Sequence, residues 1–164
     1  MRRLLLALGF SIIFAACSSE EGGAPPGGPP ADSGSAADAR DPTLLYVAGP
    51  YPTEVSLTQN NCQGIQVASM QTTVTHTAGS PDLTLQHAGV TYTGTIEQNG
   101  AFVTVPRSVG SAAETHRLSI SGRFSTNGFE ATVSVEVTRN AVPACSYVVS
   151  WIGTKTGEPN VIPG

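Results

Sequence analysis

The stretch that most limits how this chain can fold is His116 to Arg139, HRLSISGRFSTNGFEATVSVEVTR. Leu118, Ile120, Gly122 and Phe124 fall on one face of its first arm. Phe129, Ala131, Val133, Val135 and Val137 fall on one face of the second, with Ser, Thr, Arg and Glu between them. Alternation with a period of two marks a half-buried strand, so two such arms around Asn127-Gly128 predict a β-hairpin. Asn-Gly tolerates the positive φ angles of a tight type I′ connection, which places the expected turn at that pair.

The same rhythm runs through residues 42 to 164, and no window spaces apolar residues by three and four as a helix would. Thr43 to Pro52 reads as a short edge strand or cover, because Pro50 and Pro52 cannot donate to a ladder. Val55 to Gln59 reads as a second short strand. Ile65 and Val67 share a face, then Met70, Thr72, Val74 and His76 take up the opposite parity, which requires a bulge or break near Ser69. Gly79-Ser80-Pro81-Asp82 makes a turn, Leu83 and Leu85 run to a reversal at Ala88-Gly89, and Val90, Tyr92, Gly94 and Ile96 return. Gln98-Asn99-Gly100 leads into Phe102 to Val105. Pro106 to Thr115 has no periodicity and reads as a mobile loop. Cys145, Tyr147, Val149 and Trp151 share one face of the last strand, and the tail from Gly157, with two prolines, reads as loose.

Gly94-Thr-Ile-Glu-Gln-Asn-Gly100 and Gly122-Arg-Phe-Ser-Thr-Asn-Gly128 share the form Gly-x-apolar-x-x-Asn-Gly at an offset of 28 residues, and Gly153 offers a weaker third glycine. Glycines recurring at one place in successive strands permit the bends that coil a meander. The expected fold is therefore all-β, an antiparallel meander of about eight strands closed as a small up-and-down β-barrel, with a β-sandwich as the alternative. YTGTI and SISGRF in antiparallel hairpins, with a late SWIGTK, make about 60 residues similar to the up-and-down barrels of the avidin class. The resemblance implies architecture alone. Avidins hold biotin with several tryptophans, whereas this chain has only Trp151.

The amino terminus, MRRLLLALGFSIIFAACSSE, joins two arginines to an apolar run from Leu4 to Phe14, which makes residues 1–16 a secretory signal too short for a membrane span. Phe14-Ala15-Ala16-Cys17 resembles the lipobox of bacterial lipoproteins over the first twenty residues, with Phe14 where leucine is commoner. That resemblance implies cleavage before Cys17 and its modification by diacylglycerol and an N-linked acyl chain such as palmitate. Ser18 in place of Asp implies sorting to the outer membrane of a Gram-negative envelope. Several acyl chains anchor stably where one binds marginally. After Cys17, from residue 18 to 41, the chain is almost entirely Gly, Pro, Ala, Ser and acids, GGAPPGGPP among them, with Arg40 the one base and nothing to bury. It reads as a disordered tether spanning roughly 27 Å as a coil and at most roughly 75 Å extended.

Removing residues 1–16 takes away Arg2 and Arg3 and no acid, so a formal charge of −4 becomes −6, of which the linker holds most. No basic stripe remains for nucleic acid. With Cys17 lipidated, Cys62 and Cys145 are left, and an exported pair most simply forms one disulfide. Neither has a CxxC neighbour, which argues against metal or dithiol chemistry.

His76, His87 and His116 stand at no ligand spacing from one another and read as surface or turn residues. No serine sits in Gly-x-Ser-x-Gly. Glu130 and Glu136 fall on the outward face of the hairpin, as solubilising charges. No cofactor or metal is expected. Tyr92, Phe124, Tyr147 and Trp151 either line a ligand cavity or fill the core, which pattern cannot separate. The sequence thus supports a lipid-anchored envelope protein whose domain binds or scaffolds a partner without catalysis. A carrier of a small apolar ligand inside the barrel is the alternative, and a hydrolase a distant third.

Overall fold

A computed structural model describes residues 41–163. The signal, Cys17 and the linker to residue 40 lie outside the described residues. Nine strands follow in order: β1 (Gly49–Asn60), β2 (Met70–His76), β3 (Asp82–His87), β4 (Val90–Ile96), β5 (Ala101–Thr104), β6 (Arg107–Gly110), β7 (Glu114–Ser125), β8 (Gly128–Arg139) and β9 (Val142–Thr154). Each pairs antiparallel with its neighbours in the order β5-β4-β3-β2-β1-β9-β8-β7-β6. β5 also pairs with β7, from Ala101 opposite Arg123 to Val103 opposite Ser121. That contact closes eight strands into an up-and-down barrel and leaves β6 as the ninth.

The alternating residues of β7 and β8 meet as expected, with Ile120 opposite Val133 and Phe124 opposite Phe129. The turn chemistry differs. Neither Asn127 nor Gly128 has a positive φ; the left-handed pairs of two-residue turns are Ala88-Gly89 and Asn140-Ala141. Gly128 is instead selected by crowding, because a β-carbon there would overlap the Gly153 carbonyl. The expected glycine bends have the same basis: a side chain at Gly94 or Gly122 would collide with the backbone of the adjacent strand.

Three further expectations are corrected by long-range pairing. The two short strands around Pro50 and Pro52 are one strand, β1, paired with both β2 and β9. Pro50 is tolerated because its C=O, and so the side where its N–H would point, faces Thr156 beyond the start of the β1–β9 ladder. The mobile loop from 106 contains β6, which borrows regularity from β7. Phe102 faces Gly122 while Arg107 faces Leu118, so one strand advances five residues against four and a bulge absorbs the extra one at Thr104 to Pro106. The tail is fixed: Val161 and Tyr46 exchange backbone hydrogen bonds at 2.9 Å, and Asn160 is buried. The parity change near Ser69 does mark a break, since β2 begins at Met70.

Strand lengths divide the barrel into a tall wall, β7-β8-β9-β1, and a low wall, β2 to β5. β1 pairs with β2 only as far as Thr53 opposite Met70, while β1 runs on to Asn60 beside β9. One end of the barrel is therefore flush and the other is stepped.

Candidate functional site: the stepped rim of the barrel

At the flush end Tyr51, Phe102, Phe124 and Phe129 form a cluster with ring centroids 4.9–6.3 Å apart. Full burial of such rings contributes about 1.5–3 kcal/mol each. The Tyr51 hydroxyl lies 2.6 Å from both the Val47 carbonyl and Asn160 Oδ1, and Asn160 Nδ2 donates to the Ser125 carbonyl at 2.7 Å. Lys155 Nζ donates to the Ala48 carbonyl and stands 4.7 Å from the Tyr51 ring centroid. Burial pushes the Tyr51 phenol far above its ordinary pKa. This end is sealed and most of its polar groups are paired, with His76 Nδ1 the buried side-chain atom left without a partner among the described residues.

Midway along the barrel, Thr53, Thr72 and His87 make a buried chain. Thr53 donates to the Tyr51 carbonyl at 2.8 Å, so its proton is committed and Thr72 must donate to Thr53 Oγ1, also at 2.8 Å. His87 Nδ1, 2.9 Å from Thr72 Oγ1, then carries the hydrogen. The imidazole stacks on Trp151 with centroids 4.2 Å apart, and burial lowers its pKa, keeping it neutral. Tyr92 meets the Trp151 ring edge-on at 6.4 Å.

At the stepped end a second polar group converges. Glu114 stands opposite Arg139 and accepts from its Nε at 2.7 Å, while its other oxygen lies 3.1 Å from His116 Nε2. His116 Nδ1 lies 3.4 Å from the Tyr147 hydroxyl. Hydrogen bonds from Arg139 and then His116 hold the Glu114 carboxyl below its usual range, whereas burial raises the Tyr147 phenol. Glu114 and Arg139 were missed in the sequence. The signal was available: Glu114 and His116 continue the Leu118–Ile120 face by the same step of two, with Arg139 directly across.

Of the four aromatic candidates, Tyr92 and Trp151 come together, Tyr147 joins the rim, and Phe124 belongs to the sealed end. Tyr92, Phe124 and Trp151 keep 4%, 2% and 4% of their surface. Such values leave no void of a few hundred Å³ against these rings. Cys62 and Cys145 are bonded across 83 residues with Cα atoms 5.2 Å apart. The histidines depart from expectation, since His76 and His87 are buried inside. His76 Nε2 donates to the Ser80 carbonyl at 2.8 Å, at the far end of the β2–β3 pair from His87. Among the described residues no three metal-ligating side chains group together. Glu130 and Glu136 face outward as expected.

A groove of about 590 Å³ on the outer face runs between Pro52, Glu54, Met70, Gln71 and Ile152. It gathers a single ionisable group and lies away from the polar clusters. Compared with protein families, curated proteins and solved structures, the chain matches none.

Proposed function

We propose that this chain is a lipid-anchored protein of the bacterial envelope, held at the outer membrane through acylated Cys17, whose barrel is a non-catalytic binding module presented on a flexible tether. The observation that carries the binding reading is the inequality of the two ends. One is closed by aromatic packing and by the hydrogen bonds of Tyr51, Asn160 and Lys155. The other gathers half-buried Val55, Val90, Leu118 and Tyr147 beside an ionic cluster. The partner is an envelope protein or a small apolar ligand, not nucleic acid.

Two measurements test this. Labelled palmitate is expected to enter the wild-type chain and not Cys17→Ser, which leaves the membrane fraction. Native mass spectrometry of the mature Cys17→Ser chain (residues 17–164) from the periplasm is expected to carry an adduct. Equal membrane retention of the variant, or a bare mass with no partner in cross-linking, would overturn the reading.

A further inference from the structure

Between Asn60 and Met70 the chain crosses the step in the barrel wall. Gln63 to Ala68 make no hydrogen bond to any described residue, backbone or side chain. Ile65 and Val67, half-buried against the core, are their only hold. Both ends of the segment are fixed. Cys62 is bonded to Cys145, Asn61 exchanges hydrogen bonds with Ser146 at 2.6 and 3.1 Å, and Ser69 Oγ accepts from the Val55 N–H at 3.1 Å. Register places those anchors beside the aromatic groups. Cys145 precedes Tyr147 on the same face, and Val55 stands opposite Trp151. Gly64, at φ 72° with open space around it, supplies a pivot. A segment held by two apolar contacts belongs to the least stable class of local structure. Its cover is partial, since Leu57, opposite inward-facing Val149, remains 36% exposed.

The groups beneath have a common chemical character. The Tyr92 hydroxyl and the Trp151 indole N–H make no hydrogen bond to any described residue, and both atoms open to solvent, since His76 Nδ1 alone among the described residues is a buried side-chain atom without a partner. Indole only donates and a phenol donates readily, so both can turn from water to an oxygen acceptor that enters the rim. Arg107 lies within electrostatic reach of Tyr92 and donates only to the Thr91 carbonyl, with no carboxylate partner among the described residues. Donors beside an uncommitted guanidinium suit an anionic oxygen. Leu118, Val90 and Val55 suit an apolar body.

We infer that Gln63 to Ala68 is a strap that lifts to admit a small apolar carboxylate, whose head meets Tyr92 and Arg107 and whose body lies against Trp151 and Leu118. This rests on the binding-module reading and names its ligand class. Trp151 is the chain's one tryptophan, so its emission reports the site directly. The mature Cys17→Ser chain (residues 17–164) is titrated with decanoate and, separately, with decyltrimethylammonium, which has the same chain and a cationic head. Decanoate is expected to change Trp151 emission saturably below about millimolar concentration. The cationic probe should bind at least roughly tenfold more weakly, and Tyr92→Phe or Arg107→Gln should each weaken decanoate about fivefold to tenfold. Opening Cys62–Cys145 with a reductant should speed association. The inference is overturned by an unchanged emission, by equal affinity for both probes, or by wild-type affinity in Arg107→Gln, whose exposed side chain leaves the fold intact. If decanoate fails while native mass spectrometry still finds another adduct, this inference falls and the binding module stands; with neither, both fall.

Discussion

The flush end and the stepped end are built from the same strands, yet they solve the problem of buried polarity in opposite ways. At the flush end both ends of the described chain fold across the opening, and Asn160 links the C-terminal segment to Tyr51 and to the Ser125 carbonyl. At the stepped end no terminus is available among the described residues. A strap without hydrogen bonds covers it, latched by one disulfide. A barrel opening can thus be closed by tying hydrogen bonds across it or by laying apolar residues over it. Only the second closure is easily reversed.

This contrast can be broken by measurement. The largest effect is expected at the latch. Cys62→Ser with Cys145→Ser releases a loop closed across 83 residues, and loop entropy puts the loss at roughly 4–5 kcal/mol, read as a shift in urea midpoint. Phe124→Ala at the sealed end should cost about 3–5 kcal/mol, against about 1 kcal/mol for half-buried Leu118→Ala at the rim. Similar losses for the two would erase the distinction. Asn160→Ala leaves Tyr51 bonded to the Val47 carbonyl but takes the side-chain donor from the Ser125 carbonyl, and should cost about 1–3 kcal/mol by the same assay.

A pH series sharpens the middle of the barrel. Burial lowers the His87 pKa, so the unfolded chain takes up the proton first. Stability should hold steady above about pH 6.5, fall as the pH drops through that value, and level off once His87 itself protonates. His87→Gln should lack this slope between pH 7.5 and 5; an identical slope in the variant would assign it elsewhere. The smallest effect is a gain. Ala141 sits at φ 63°, where a β-carbon is strained, so Ala141→Gly should stabilise by about 0.5–1 kcal/mol in thermal unfolding.

Period-two alternation made Leu83, Tyr92, Ile120, Phe124, Val133 and Trp151 legible as inward-facing, and all are buried; that Tyr92, Phe124 and Trp151 pack rather than line a void came from the structure. What escaped local reading was set by partners distant in sequence. β6 has no apolar rhythm of its own and is ordered by β7. Pro50 and Pro52 looked like an edge because the rule against proline in a ladder does not reveal where the neighbouring strand begins. Gly157 to Ile162 looked loose because nothing local announces that Asn160 reaches Tyr51. The rim cluster of Glu114, His116, Arg139 and Tyr147 was half legible, through parity on β7. Its assembly needed the register that brings β9 alongside.

Residue order alone determined the strand class, the inward faces and the pairing of the two cysteines, because period-two alternation and cysteine count are local or arithmetic properties. The tertiary structure alone decided which end is sealed, which glycines are crowded and where unpartnered donors gather. Those depend on strand lengths and on contacts between residues a hundred positions apart, which no window of sequence contains.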